Sequence, residues 1–309
     1  VPPQPAVATP PAHVTDARGS VVINESQLGF TLATAPVLIL STPDNRFIDA
    51  INPRTTPAGM STGRWPDGAD NRYVFPSPTR NLPNALSLES RVVINEIQYH
   101  PEASNTGGEI IELHNRGSQT VDGAGWSFTR GIEYTIPANT AIPAGGFLVI
   151  ARDPGTAQAY YGIPAPRGPY TGQLKNGAET ILLRDALNNT VDRVRYADEG
   201  SWPPEPDGTG PSLELVHPAL DNRYGPAWRA STGHGTPGTA NSARASDPAP
   251  VIVGVEHAPV VPAPVEDVLV TASITDERAI TSATLFWRAD GAGGNPAQLA
   301  MADDGLNDD

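Results

Sequence analysis

Short apolar runs separated by turn residues make up most of the sequence. Within them, apolar and polar positions alternate, so that Ile111 and Leu113 share one face of a strand while Glu112 lies on the other. Only Thr156–Tyr161 is predicted as a helix, and Phe147–Ile150, which is apolar on both faces, is predicted as a central strand. This pattern predicts an all-β fold of stacked sheets rather than βαβ units. The predicted strands of the first 242 residues are Val21–Asn24, Val37–Ser41, Arg91–Ile97, Glu109–His114, Gly146–Ala151, Glu179–Arg184 and Thr190–Tyr196.

The sequence repeats itself internally. VVINE occurs at 21–25 and again at 92–96, and residues 37–51 align without gaps on residues 180–194. Both aligned segments contain two apolar strands around an Asn-containing turn. Residues 20–88 therefore repeat mainly the second half of residues 89–242.

Two Pro-rich linkers divide the chain, and three further strands follow the second. The predicted strands Val251–Glu256, Val268–Thr275 and Ser282–Arg288 open an immunoglobulin- or fibronectin-type unit. Such a sandwich needs ~100 residues, so we expect this unit to be incomplete and poorly stable alone. The predicted organisation is a linker (1–19), a partial unit (20–88), a complete unit (89–242), a linker (243–250) and a truncated unit (251–309).

Composition excludes several classes of protein. The chain has 33 Pro and 30 Gly residues, which rules out a helical bundle. A net charge of −14 disfavours nucleic-acid binding. No apolar stretch approaches the ~20 residues that span a bilayer. Cysteine is absent, which removes disulfides and thiolate chemistry. These features fit a protein exported from a bacterium, and we expect the chain to be a fragment of a longer polypeptide.

An ordered series of motifs resembles the lamin-tail domain, an immunoglobulin-like sandwich known from nuclear lamins and common in bacterial secreted proteins. The motifs are VVINEIQYHP (92–101), GEIIELHNRGSQTVDGAGWSF (108–128), IPAGGFLVIARD (142–153), LKNGAETILLRDALNNTVDRVRY (174–196), PDGTGPSLEL (206–215) and GTPGTAN (235–241). The resemblance implies tandem immunoglobulin-like β-sandwiches, one complete and one partial, joined by Pro-rich linkers. The core signature residues of the complete copy are Asn95, Glu96, Glu109, Glu112, Trp126 and Asp192, and Trp126 is expected to fill the space between the two sheets.

Two carboxylates and two imidazoles near the second strand are candidates for a metal or acid–base cluster. They are Glu109, Glu112, His114 and His100. Strand alternation places Glu109 on the face opposite Glu112 and His114, which disfavours one three-ligand site. We therefore favour surface positions or cross-strand pairing for these side chains.

A dense carboxylate cluster at the end of the sequence is a calcium candidate. Asp303, Asp304, Asn307 and Asp308 surround Gly305, and calcium prefers several oxygen ligands around a tight turn. The spacing does not match an EF-hand loop. Asp-Asp-Gly turns also join strands without any metal, so the sequence leaves both interpretations open.

Aromatic residues near two Pro-Asp-Gly triplets suggest a sugar platform. Trp65 precedes the triplet at 66–68 and Trp202 precedes the one at 206–208, while Trp126 and Trp228 are scattered. Pro and Gly in this order are typical of turns, which is the interpretation we favour. The chain has no nucleophile-elbow, P-loop or zinc-protease motif, so catalysis has no positive support.

These observations favour a non-catalytic structural or binding module of a secreted or cell-surface bacterial protein. Its partners are expected to be a protein or a cell-surface glycan together with other domains of the same polypeptide, and not nucleic acid or a membrane interior. No cofactor is expected apart from the calcium candidate. The alternative is an accessory region of a secreted enzyme, such as a nuclease, a phosphoesterase or a spore-coat protein H-like kinase. A nuclear-lamin role is disfavoured because no coiled-coil heptads precede the domain.

Overall fold

The chain forms two units that are built mainly of antiparallel strands. The computed structural model describes residues 21–28, 30–32, 37–52, 56, 58–80, 82–86, 88–105, 108–289, 291 and 293–303. One unit comprises residues 1–88 with 187–189, and the other residues 89–186 with 190–309. The described helices are all too short to cross a lipid bilayer. The predicted all-β class is confirmed, whereas the boundaries of the five predicted segments stay predictions.

The described residues of the first unit form one helical turn and two hairpins. Its elements are α1 (Glu25–Leu28), β1 (Leu38–Ser41), β2 (Phe47–Ile51), β3 (Ser61–Arg64) and β4 (Arg72–Phe75). β1 pairs with β2, and β3 with β4. The strand predicted at Val21–Asn24 is wrong, because Asn24 leads directly into α1. Its backbone N–H donates to Gln27 Oε1 at 2.7 Å, a contact that favours a helix start.

The second unit contains two larger sheets. Its elements are β5 (Val92–Gln98), β6 (Ile110–Asn115), β7 (Val121–Asp122), β8 (Ser127–Arg130), β9 (Tyr134–Thr135), β10 (Ala141–Ile142), β11 (Phe147–Ala151), α2 (Pro154–Tyr161), β12 (Ala178–Arg184), β13 (Thr190–Ala197), β14 (Leu213–Leu215), β15 (Trp228–Ala230), β16 (Val251–Ala258), β17 (Leu269–Thr275), β18 (Ala283–Trp287) and β19 (Ala297–Met301). One sheet has the order β11-β6-β5-β14-β15, and the other the order β13-β12-β8-β9.

The hydrophobic core draws alternate residues from both sheets. Trp126 is 5 % exposed and belongs to this core, as the sequence predicts. Trp228 on β15 is the largest fully buried side chain, and its indole Nε1–H donates to Asn222 O at 2.9 Å. The other core residues include Ile94, Ile97, Ile111, Leu113, Phe128, Ile181, Leu183 and Val194.

Strand β11 lies at the edge of its sheet, so the prediction that it is central is wrong. The prediction rested on its apolar character on both faces, and both faces are indeed covered. Leu148 and Ile150 join the main core, while Val149 packs in a second cluster with Ala157 of α2. A helix therefore supplies the cover that we assigned to a second neighbouring strand.

The predicted helix is confirmed as α2, which begins two residues before the predicted start. Asp153 caps it, since its carboxylate Oδ1 accepts from the backbone N–H of Thr156 at 3.0 Å. Gly162 ends it with φ +67°, a conformation that favours glycine.

The hairpins β1–β2 and β12–β13 have the same register, as the internal alignment predicts. Each has a bulge one residue beyond the pair formed by Asp49 or Asp192. In both turns an Asn, Asn45 or Asn188, has φ +65°. In both hairpins the Asp carboxylate accepts from the next residue's backbone N–H, at 2.8 and 2.7 Å. The two sequences therefore encode the same local structure.

The last described strands form two separate hairpins, β16–β17 and β18–β19. Val251 is 1 % exposed and packs in the core of the second unit, with Val253 against it. By contrast, Leu285 pairs with Leu299, which is 60 % exposed, and Trp287 is 55 % exposed. That this segment is a truncated sandwich stays a prediction.

Candidate functional site

Three glutamates form a row across adjacent strands, which we call the glutamate row. Glu214 on β14 pairs with Glu96 on β5, and Glu96 pairs with Glu112 on β6. A bulge at Asn95 shifts the alternation of β5 and turns Glu96 away from the core. All three side chains are nevertheless fully buried.

The segment 231–243, which we call the covering segment, buries the glutamate row and bonds to it. Glu96 Oε1 accepts from Ser212 Oγ at 2.6 Å and from the backbone N–H of Thr236 at 3.1 Å. Glu214 Oε1 accepts from Thr236 Oγ1 at 2.6 Å, and its Oε2 accepts from the N–H of Ala243 at 2.7 Å. The carboxylates therefore replace water as partners for this segment's polar groups.

Glu112 lies in a second part of the same network. Its Oε1 accepts from Asn95 Nδ2 at 2.8 Å, and its Oε2 from the backbone N–H of Gly238. Asn95 Nδ2 also donates to Asn241 Oδ1 at 2.7 Å. Asn241 Nδ2 in turn donates to the carbonyls of Asn95 and Leu215 at 3.0 and 2.9 Å. Asn241 thus links the covering segment to β5 and β14.

Burial raises the pKa values of two carboxyls in the glutamate row. It raises the pKa of Glu96 well above the usual value, and the charges of Glu112 and Glu214 act in the same direction. Burial also raises the pKa of Glu112 to about 8. Glu96 Oε2 is buried and accepts no hydrogen bond from any residue that the structure describes. We infer that the row binds a proton more tightly than free glutamate does, and that Glu96 Oε2 is its place because no donor to this oxygen has to be given up.

Glu109 lies in a separate environment, as strand alternation predicts. It is 2 % exposed, and Arg152 Nη1 donates to its Oε1 at 2.7 Å. Its Oε2 accepts from Tyr170 OH at 3.0 Å and from the N–H of Leu174 at 3.1 Å. The expected surface position is therefore wrong for both Glu109 and Glu112, whereas cross-strand pairing is confirmed for Glu112. The helix α2, its flanking loops and the covering segment provide the cover that the local pattern did not indicate.

The two candidate histidines contact groups other than these glutamates. His114 stacks on Phe147 with 4.5 Å between ring centroids, and burial lowers its pKa. His100 Nδ1 lies 2.5 Å from Asp207 Oδ1. Among the described residues, no group of three or more His, Asp or Glu side chains is arranged to hold a metal ion. The structure thus does not bring the predicted cluster together.

Asp192 joins the two sheets. Its Oδ2 accepts from the N–H of Ile94 at 2.6 Å and from Asn222 Nδ2 at 2.7 Å. Burial raises the pKa of this carboxyl, which these hydrogen bonds oppose. Asp192 therefore fixes β13 against β5.

A further series of hydrogen-bonded side chains lies at the end of α2. Tyr160 OH donates to Glu102 Oε1 at 2.7 Å and lies 2.7 Å from His234 Nδ1. Ser104, Arg152 and Tyr160 also line an open groove of about 760 Å³. Burial raises the pKa of Tyr160 to about 12, so its hydroxyl acts as a hydrogen-bond donor and not as a base.

The calcium candidate lies mostly outside the described residues. Asp303 follows β19, whereas Asp304, Asn307 and Asp308 fall outside the described ranges. Calcium binding there stays a prediction.

The aromatic residues considered for a sugar platform pack mainly inside the protein. Trp126 and Trp228 belong to the core, and Trp202 lies against Trp228 with 6.0 Å between ring centroids. These three side chains therefore do not form an exposed stripe, whereas glycan binding by the chain stays a prediction. Gly68 and Gly208 have φ of +84° and +74°, which confirms that the Pro-Asp-Gly triplets form turns.

Sequence reasoning missed Glu214, Thr236 and Trp228. A usable signal was present, because Glu214 stands between two leucines, and Glu112 likewise stands between apolar residues. A glutamate between apolar residues at the centre of a strand indicates that another part of the chain covers the outer face of the sheet. The GTPGTAN motif was recognised, but its role as the cover was not.

One comparison with known proteins identifies the central part of the chain. Residues 86–198 match the family model of the lamin tail domain. No curated protein matches the chain. The matched segment contains β5 to β13 and ends before β14, β15 and the covering segment. Residues 86–198 are therefore similar to the lamin tail domain family, whose domains are immunoglobulin-like and non-catalytic.

Proposed function

We propose that this chain is an attachment and spacing module of an exported bacterial multidomain protein. One observation carries the proposal. The buried carboxylates of the central unit, including the glutamate row and Glu109, accept hydrogen bonds that hold the sandwich together. A carboxylate that acts on a substrate must instead be reachable from solvent or from a cleft.

Attachment fits the exterior of such a sandwich. Strand edges and loops on a rigid β-scaffold are common binding surfaces. The recurrence of the β12–β13 register in β1–β2 supports a tandem arrangement, and Pro-rich stretches suit spacers between units. We propose a protein or a cell-surface glycan as the partner, together with other domains of the same polypeptide.

Export is supported by the composition. The sequence has no cysteine and a net charge of −14, so the proposed folding needs no disulfide chemistry and the surface stays well solvated. Its likeness to secreted members of the family points in the same direction. The proposed location is therefore the cell surface or the extracellular space.

The experiment tests where this segment lies in the cell and whether the purified chain has enzymatic activity. The complete gene product, carrying an epitope tag, is produced in its own organism, and intact cells are treated with protease. We expect the tag on this segment to be cleaved while a cytoplasmic marker survives. The purified chain is expected to hydrolyse neither phosphodiesters nor phosphomonoesters and to phosphorylate no peptide. Protection from protease on intact cells contradicts export, and turnover that Glu96→Gln abolishes contradicts the non-catalytic role.

A further inference from the structure

The outer edge of β13 presents backbone groups without a partner strand. β13 is the last strand of its sheet. The N–H of Arg193 donates to Asp192 Oδ1 at 2.7 Å, a contact that favours an N–H pointing away from β12. In an antiparallel strand the N–H and C=O of one residue point the same way, and the pattern repeats every second residue. Arg193 and Arg195 therefore direct their backbone groups outward, and among the described residues no chain pairs with them.

The outward face of the same strand carries arginine side chains. Arg193 lies opposite Leu182, and Arg195 lies opposite Thr180. Arg130 on β8 also pairs with Leu182, from the other side. All three arginines are exposed, and within the described ranges no carboxylate forms an ion pair with them. We call Arg130, Arg193 and Arg195, with the backbone edge of β13, the arginine edge.

This concentration of positive charge is unusual in an acidic chain. The sequence has 20 Lys and Arg residues against 34 Asp and Glu residues. Elsewhere arginines such as Arg91, Arg152 and Arg223 pair with a nearby carboxylate. Charge on an edge strand also prevents aggregation, but either sign serves that purpose. Arg130, Arg193 and Arg195 form no such ion pair within the described part of the chain, so their charges are available to an acidic partner.

We propose that the arginine edge binds an acidic polypeptide segment in an extended conformation. The segment adds as a strand beside β13 and places alternate Glu or Asp side chains next to Arg193 and Arg195. This inference rests on the proposed attachment function and names its site and the chemistry of its partner.

A polypeptide fits this edge better than other polyanions do. The open N–H and C=O groups of Arg195 match the backbone of an added strand, which neither a polysaccharide nor DNA supplies. Cross-strand pairs between arginine and carboxylate select the acidic sequence.

The experiment measures binding of a short dye-labelled peptide that alternates Glu with Val to the intact chain, by fluorescence anisotropy at physiological salt. We expect saturable binding that the double variant Arg193→Glu/Arg195→Glu weakens roughly tenfold. The double variant Arg46→Glu/Arg288→Glu makes the same change in total charge at exposed arginines outside the arginine edge. We expect it to bind as the unchanged chain does. Circular dichroism and the melting temperature confirm that both variants fold.

Two further probes separate strand addition from simple charge attraction. An acidic peptide that is N-methylated at alternate residues keeps its charge but loses its hydrogen-bonding edge, and we expect it to bind far more weakly. Equal binding of this peptide, or of a Lys/Val peptide, overturns the proposal. So does binding of polygalacturonate or duplex DNA in place of the acidic peptide. If no peptide binds while the full-length protein remains exposed to protease on cells, this inference fails and the proposed function stands.

Discussion

Glu96 and Glu112 face each other on neighbouring strands, and both side chains are fully buried. Two ionised carboxylates in this position repel each other and lack water, so the pair binds protons more tightly than free glutamate does. The two groups differ in their partners. Glu112 accepts hydrogen bonds at both oxygens, whereas Glu96 accepts only at Oε1.

This difference predicts opposite results for two matched substitutions. Glu96→Gln keeps an acceptor for Ser212 and Thr236 and places its amide at the unpartnered position, so stability near neutral pH is maintained or increased. In Glu112→Gln one of the two carboxylate oxygens becomes an amide NH2 group, although Asn95 Nδ2 and the N–H of Gly238 both need an acceptor. This variant is therefore expected to lose about 1–3 kcal/mol of the free energy of unfolding. Urea denaturation measures both. An equal loss in the two variants contradicts the proposed proton on Glu96.

The same carboxyls predict how stability depends on pH. Their pKa values are higher in the folded chain than the ordinary value of 4.5. Their contribution is therefore fully present below about pH 4.5 and is lost as the pH rises towards about 8. Exposed carboxylates with lowered pKa values, such as Asp153, act in the opposite direction. The test is therefore the difference in the free energy of unfolding between Glu96→Gln and the unchanged chain, which we expect to grow in favour of the variant between about pH 5 and about pH 8. A difference that does not vary with pH contradicts this prediction.

Gly235 is predicted to tolerate no side chain. It has φ +108°, and a Cβ there lies 2.3 Å from Glu96 Oε1 and close to Ser212. Gly235→Ala therefore strains the backbone and pushes the covering segment off the glutamate row, at about 2–4 kcal/mol. Gly233→Ala is the matched control, since its φ is +64° with open space around the Cβ. It is expected to cost about 1–2 kcal/mol. Thermal unfolding of both variants measures the difference, and equal losses contradict a specific contact with Glu96.

The domain is predicted to need residues beyond the family match. A chain that ends at residue 198 lacks β14, β15 and the covering segment, and with them the buried Trp228. We expect its central unit to show poor dispersion of amide signals in NMR spectra and no cooperative unfolding in urea. A chain that ends at residue 303 is the control and is expected to unfold cooperatively. Cooperative unfolding of the central unit in the shorter chain contradicts this prediction.

The sequence predicted the strands better than it predicted what lies on top of them. Alternation in β6 correctly placed Ile111 and Leu113 on the core face. Alternation reports only which residues share a face, so it could not show that Glu112 is also buried. That burial depends on a contact with Gly238, which is 126 residues away. For the same reason β11 was placed centrally, because a strand covered by a helix has the same apolar pattern as a strand inside a sheet.

The internal sequence alignment correctly predicted the local structure of the two hairpins. The turn Asn188, the bulge near Asp192 and the register of β12–β13 all recur in β1–β2, because short-range sequence determines a hairpin. Strand alternation also separated Glu109 from Glu112 correctly, and the described residues contain no group of three or more metal-ligating side chains.

The link between Asn95 and Asn241 has a consequence for synthesis on the ribosome. The two residues are 146 positions apart, so β5 emerges long before the segment that covers its outer face. Until that segment has been made, Glu96 remains hydrated and charged, and the outer face of β5 stays uncovered. Contacts of such long sequence separation also slow folding. The growing chain is therefore expected to depend on chaperones or on a delay in folding until residue 243 has left the exit tunnel.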